Sequence, residues 1–144
     1  MYTGKRRRSL VEKMLGMWLY YEPIFETALL KENIPTELKY LPIIESALNP
    51  NAVSPAAAAG LWQFIPSTGK SYGLEINEYV DERLNIEKAT IAACQYLKSA
   101  YNNYGNWESV ASAYNAGNTR ISSELDKQQV ESTFDLYLNQ ETSR

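Results

Sequence analysis

Apolar and polar residues along this chain recur mostly at spacings of three and four, and no run alternates strictly over the length of a strand. Leu10, Met14, Met17 and Trp18 fall on one face of a helix expected over 9–20. Pro23 suits the first turn of a second helix, with Ile24, Phe25, Ala28 and Leu29 inward and Lys31, Glu32 and Asn33 at its end. Pro35 opens a third, in which Leu38, Leu41, Ile44 and Glu45 share one face. Pro42 is expected to kink or shorten it, and Asn49-Pro50 ends it. Residues 51–60 form an alanine-rich loop with Ser54-Pro55, and GLWQFIPSTGKSYG (60–73) reads as a short helix closed by Gly69 and Gly73.

Residues 74–85 are polar and irregular. The clearest helix spans 86–104, with Asn85 as N-cap and a stripe of Ala89, Ala93, Tyr96, Leu97, Ala100, Tyr101 and Tyr104. Gly105 ends it, Asn106 caps a further helix from Trp107 to about Asn115, and Gly117 breaks the chain again. Weaker helical patterns follow over 118–125 and 128–138, before a frayed tail at 140–144. The pattern therefore predicts a compact all-α domain of about seven helices with no substantial sheet.

Composition narrows what such a domain does. At 144 residues it is one domain by size and long enough for a core without disulfides or metal. A net charge of −3 argues against a nucleic-acid partner. Cys94 is the single cysteine, so no internal disulfide forms. The absence of histidine removes Ser-His-Asp and Cys-His catalysis and most zinc sites, and no metal or cofactor is expected. Chemistry is left to carboxylates, hydroxyls, amides and lysines. No segment has the ~18 apolar residues of a membrane span. Residues 9–21, after the basic run Lys5–Arg8, are faintly like a signal sequence, but Glu12 and Lys13 interrupt them and no small-residue cleavage site follows. The chain reads as a piece of a longer precursor. The basic run reads as a solvated end, with contact to an anionic surface as the alternative.

Glu45 is the one carboxylate in the run Leu41–Leu48. A glutamate there must reach solvent, pair with a cation such as Lys39, or stay protonated. At the negative end of a helix among apolar neighbours, ionisation is disfavoured, which suits a proton donor near neutral pH. Glu75, Glu78, Asp81, Glu82, Glu87 and Glu108 stand in polar surroundings and read as solvated, so no second acid for two-carboxylate glycosidase chemistry stands out. Trp62, Tyr72, Tyr101, Tyr104, Trp107 and Tyr114 offer flat faces on which sugars pack. Tyr101, Tyr104 and Trp107 lie on helical stripes and read as core; Trp62 and Tyr114, beside Gln63 and Asn115, read more as binding residues. Ser54 either orients the carboxylate or turns the chain before Pro55.

Four motifs in order then resemble a family: IESALNP, a serine nine residues after the glutamate, GLWQFIPSTG, and AYNAG. Together they are similar to the lysozyme-like catalytic domain of the lytic transglycosylases, over roughly Tyr20 to Arg120, and ELKYLPIIESALNP with GLWQF is most similar to a membrane-bound branch of that family. The resemblance implies cleavage of the β-1,4 bond between N-acetylmuramic acid and N-acetylglucosamine in peptidoglycan, without water and with a 1,6-anhydro end, by one glutamate acting as acid and then base. It places that role on Glu45 and substrate contacts on Ser54, Trp62, Gln63, Tyr114 and Asn115. It further implies a helical extension at 1–19, a catalytic domain at 20–125, a C-terminal helix and tail at 126–144, peptidoglycan strands as partner, a monomer, a periplasmic or cell-envelope location, and membrane association only through parts outside this chain. Two positions depart from the family pattern. Ala57 stands in the usual glycine slot of AGAAG, so either Ala57 is strained or the loop shifts. Ile65 replaces a common methionine, which is near-isosteric. A lysozyme- or chitinase-like hydrolase of the same fold and a glycan-binding module without turnover are the alternatives.

Overall fold

The computed structural model describes residues 2–116. The readings at Gly117, 118–125, 128–138 and the tail lie outside the described residues. Within them there are five α-helices and two short 3-10 helices, rather than a chain of about seven α-helices. They are α1 (Tyr2–Lys31), α2 (Leu41–Ser46), α3 (Pro66–Ser71), α4 (Ile86–Tyr104) and α5 (Trp107–Ala116), with the 3-10 helices at Thr36–Tyr40 and Glu82–Leu84. Backbone pairing outside helices is confined, among the described residues, to the isolated bridges Val53–Ala59, Ala59–Phe64 and Ile76–Asp81.

The two expected N-terminal helices are one. Pro23 lies inside α1 rather than at a helix start. The reason is the stripe Met14, Trp18, Tyr21, Phe25 and Leu29, buried throughout and spaced four, three, four and four, which crosses the proline without a break. Fully burying a side chain of this kind contributes about 2 kcal/mol, so the stripe as a whole outweighs the roughly 3 kcal/mol that an interior proline costs. The boundary expected at 19–20 thus falls within a continuous helix, and Met14 and Trp18 belong to the same core as Leu97 and Val110.

The third expected helix is two pieces. Thr36–Tyr40 is 3-10, and α2 begins afresh at Leu41 with Pro42 in its first turn, where the missing N–H leaves no bond unmade. All six residues of α2 are buried. Lys39 ties this region to α1 through Glu22 at 2.7 Å, with Glu26 at 3.9 Å, and Tyr40 stacks on Trp18. The block after Gly60 is helical only from Pro66, and Gly69 lies buried within α3 instead of ending it. The C-terminal half follows the sequence reading closely. The Asn85 side chain accepts from Lys88 N at 3.0 Å, Gly105 ends α4 at φ 79°, and the Asn106 side chain accepts from Ser109 N at 2.8 Å.

The core closes around Trp62. Its ring meets Phe25 edge-to-face at 5.4 Å, and its indole N–H donates to Thr90 Oγ1 at 3.1 Å. Gly60, two residues earlier, has φ 84° and runs against the backbone of the 3-10 helix at Glu82–Leu84: a Cβ there would lie 2.0 Å from the Arg83 carbonyl oxygen. Gly60→Ala is therefore expected to lower unfolding free energy by about 3 kcal/mol or more, from overlap and left-handed strain together. Urea denaturation of the two proteins checks this, and a loss below about 1 kcal/mol would contradict the close approach.

Candidate active site

Glu45 occupies the penultimate position of α2 and is 1% exposed. The helix ends immediately after it through two left-handed non-glycine residues, Ala47 at φ 53° and Leu48 at φ 61°. Ala47 N bonds back to Ile43 O at 2.9 Å, and the Ser46 hydroxyl to Pro42 O at 2.7 Å. The side chain of Glu45 does not reach bulk solvent, and Lys39, the cation considered for it, is engaged by Glu22.

Glu45 lines a cavity of about 210 Å³ with Ser54, Gln63, Phe64, Tyr96 and Tyr114 among its neighbours. No other carboxyl lines it among the described residues. Opposite α2 the wall is the loop 52–64, whose own backbone is tied closely. Ser54 N donates to Ala58 O at 2.8 Å and Ala57 N to Ser54 O at 2.9 Å, while Ala59 and Phe64 exchange backbone bonds at 3.0 and 3.2 Å. The Ser54 hydroxyl accepts from Ala56 N at 3.2 Å and Ala58 N at 3.1 Å. A serine oxygen has two acceptor sites and one proton. With both acceptor sites taken by the loop, the O–H is the part of Ser54 left to donate within the cavity.

Ala57, at the apex of this loop, has φ 65°. Of the two outcomes expected for alanine in a glycine slot, the strained one is found. Gln63 is also left-handed, at φ 53°, and its amide nitrogen donates to Ala52 O at 3.0 Å and Gly60 O at 2.8 Å. Gln63 thus reaches the cavity wall, but its N–H₂ group fastens the loop.

Tyr114 comes to the cavity from α5, and its hydroxyl donates to Trp62 O at 2.5 Å. Burial first, then the charge of Glu45 and the nearby Tyr96, push the Tyr114 phenol well above its ordinary range, so it remains a neutral donor. Two expected site residues are not brought there. Trp62 is 0% exposed and belongs to the core; it contributes its carbonyl to Tyr114 and no ring face to a ligand. Asn115 follows Tyr114 on α5 but does not line the cavity, and its buried Oδ1 has no hydrogen-bond partner among the described residues. Conversely, Tyr104, read as core, is 52% exposed, and Tyr101 stacks on Trp107 at 4.4 Å at the same end of α4. Helical spacing identified the stripe but not how far the core extends along it.

Asp81 and Glu82, read as solvated, are also structural. Asp81 holds Arg83 through both carboxylate oxygens, at 2.9 and 2.7 Å, and this hydrogen bonding keeps its carboxyl below the usual range. Glu82 accepts from Glu75 N at 2.7 Å and from Lys88 at 2.5 Å. Tyr96, unassigned by the sequence reading, lines the cavity and meets Phe64, Tyr72 and Tyr114 edge-on. Its place on the α4 stripe was legible; its exposure to a cavity was not. Among the described residues no group of three or more His, Cys, Asp or Glu is placed to hold a metal ion.

A family model described as the transglycosylase SLT domain matches residues 22–136. Membrane-bound lytic murein transglycosylase D of Escherichia coli K12 is 44% identical over 92 residues, covering 63% of this chain and 20% of that protein. A putative tributyltin chloride resistance protein of Alteromonas is 33% identical over 105 residues, covering 72% of this chain and 49% of that protein. Among solved structures, the 70 kDa soluble lytic transglycosylase of Escherichia coli matches with a TM-score of 0.54 and 31% identity, covering 67% of this chain and 17% of that one. The chain therefore spans about one fifth of the length of the first relative.

Left-handed alanine costs about 1 kcal/mol relative to glycine, so Ala57→Gly is expected to raise unfolding free energy by about that amount. Paired urea titrations check it, and a decrease would show that Ala57 is not strained.

Proposed function

The chain belongs to the transglycosylase SLT domain family, and on that premise we propose that it is the catalytic part of a lytic murein transglycosylase. Its substrate is then the glycan strand of peptidoglycan, cleaved at the β-1,4 bond between N-acetylmuramic acid and N-acetylglucosamine. The observation that carries this reading is the single acid at the cavity: Glu45 is buried and no second carboxyl lines the space around it among the described residues. Ordinary glycosidases set two carboxyls about 5–9.5 Å apart, one for the leaving group and one for water or the sugar. One carboxyl supports a reaction in which the substrate supplies its own nucleophile.

In that reaction Glu45 acts first as the acid. Its proton passes to the glycosidic oxygen as the bond to C1 of the muramic residue breaks, and the 2-acetamido group helps hold the oxocarbenium-like state. The resulting carboxylate then accepts the proton of the C6 hydroxyl as that oxygen closes on C1. The glutamate is thereby restored to its acid form, and the product is a 1,6-anhydro end. The Ser54 hydroxyl is placed to donate to the carboxylate or the sugar, the Tyr114 phenol steadies the wall beside Glu45, and Gln63 shapes the cleft through its loop. Trp62 supports this wall through its carbonyl, which accepts from Tyr114.

The proposed catalytic unit includes α1, since Met14 and Trp18 share its core. The chain works as a monomer in the periplasm or cell envelope. Among the described residues no helix is long and apolar enough to cross a membrane.

Glu45→Gln keeps the shape and removes the titratable proton. It is expected to lower the rate of product release from purified peptidoglycan by about a thousandfold or more while changing unfolding free energy by less than about 1 kcal/mol. Mass spectrometry of the released fragments, with wild type beside it, checks both identity and rate. Retention of wild-type rate by the variant would remove Glu45 from the mechanism.

A further inference from the structure

Arg83 stands outside the residues assigned to the reaction, yet its guanidinium binds two carbonyls of the loop that walls the cavity. It is 8% exposed, and Nη1 donates to Ala57 O at 2.7 Å and to Phe64 O at 2.9 Å. The opposite edge of the same group is held by Asp81, from Nε to Oδ1 at 2.9 Å and from Nη2 to Oδ2 at 2.7 Å. Asp81 Oδ1 is itself fixed as the cap of the 3-10 helix, accepting from Arg83 N at 3.1 Å. A buried ion pair is seldom the most stabilising filling for a core, because desolvation offsets most of its attraction. What a planar, doubly anchored guanidinium does supply is direction, since its donors are fixed relative to one another.

That direction falls on the strained residue. Ala57 at φ 65° lies between the two amides, Ala56 N and Ala58 N, that bond to the Ser54 hydroxyl oxygen. Should Ala57 relax to the right-handed or extended region, its carbonyl and the following N–H would rotate away, and the Ser54 hydroxyl would lose the Ala58 bond that helps orient it. We infer that Arg83 is a positioning residue for the reaction: by holding the Ala57 and Phe64 carbonyls it keeps Ala57 left-handed and aims the Ser54 hydroxyl into the cavity that Glu45 lines. This rests on the transglycosylase reading for its consequence, though not for the hold itself.

The test uses Arg83→Lys, which keeps the charge but cannot reach both carbonyls and both Asp81 oxygens, with Asp81→Asn as a milder second variant. Two readouts are taken at a temperature where both variants are fully folded: amide hydrogen exchange across the chain, and kcat and KM on soluble peptidoglycan strands. In Arg83→Lys, exchange at Ala56 and Ala58 is expected to rise about tenfold with α4 amides unchanged, and kcat to fall about tenfold or more with KM within about twofold. Asp81→Asn gives the same pattern at smaller amplitude. Adding Ala57→Gly to Arg83→Lys restores more activity than the same substitution adds to the wild-type chain, because glycine needs no help to stay left-handed. A purely structural arginine would show exchange rising throughout the chain and no such coupling, and either result overturns the inference. A wild-type chain without turnover whose loop exchange still rises in Arg83→Lys would overturn the activity reading and leave the hold standing.

Discussion

A carboxyl taken out of water has to be kept neutral, hydrogen-bonded or paired, and the side chain of Glu45 is almost wholly removed from solvent. Much of the described structure follows from holding it there. A six-residue helix, buried on every side, delivers Glu45 at its end. The long α1, Thr36–Tyr40 and the Lys39–Glu22 pair secure that helix from behind. From the front, the loop 52–64 and Tyr114 of α5 close the wall. Glu45 and the core are therefore not separable: Trp62, the centre of the packing, passes its carbonyl to Tyr114, which lines the cavity.

The loop facing Glu45 is built from unfavourable backbone made tolerable by ties. Of the five described non-glycine residues with positive φ, all but Asn33 fall between 47 and 63, in the turn that ends α2 and in the loop that walls the cavity. Each such conformation stores strain of order 1 kcal/mol or more and persists only when neighbours over-determine it. Here the neighbours are visible. Gln63 binds the carbonyls of Ala52 and Gly60, and Arg83 those of Ala57 and Phe64. Two side chains thus fix four carbonyls of one loop. The Ser54 hydroxyl completes the set by receiving two of its amides. Geometry of this kind keeps a cavity of fixed shape in water, which a reaction governed by proton position requires.

How much of this the sequence carried depends on the physical range of each signal. Caps and stops act within a turn, and Asn85, Gly105 and Asn106 were legible for that reason. Glu45 was legible because one acid in an apolar run is conspicuous. Continuity of α1 through Pro23 was not, since it comes from packing against the rest of the core and overrides a local rule. Trp62 and Tyr104 exchanged their expected places because spacing gives a face but not a depth. Arg83 and Asp81 stood in a polar stretch that resembled a solvated loop, and their partners are carbonyls 19 and 26 residues away, a relation no local pattern reports. The motifs around Ser54, Gln63 and Tyr114 marked residues that line one cavity with Glu45. They did not say that Gln63 and Tyr114 would direct hydrogen bonds at backbone.

The central claim is that one buried carboxyl performs both proton transfers while water stays out of the bond-making step. The most direct measurement is digestion of purified peptidoglycan in water enriched in the heavy oxygen isotope, followed by mass analysis of the released sugar ends. The account predicts that the new muramic ends carry no label, because the oxygen that closes on C1 is the sugar's own. Incorporation of one heavy oxygen at each new end would show that water is the nucleophile, and would contradict the account at its centre.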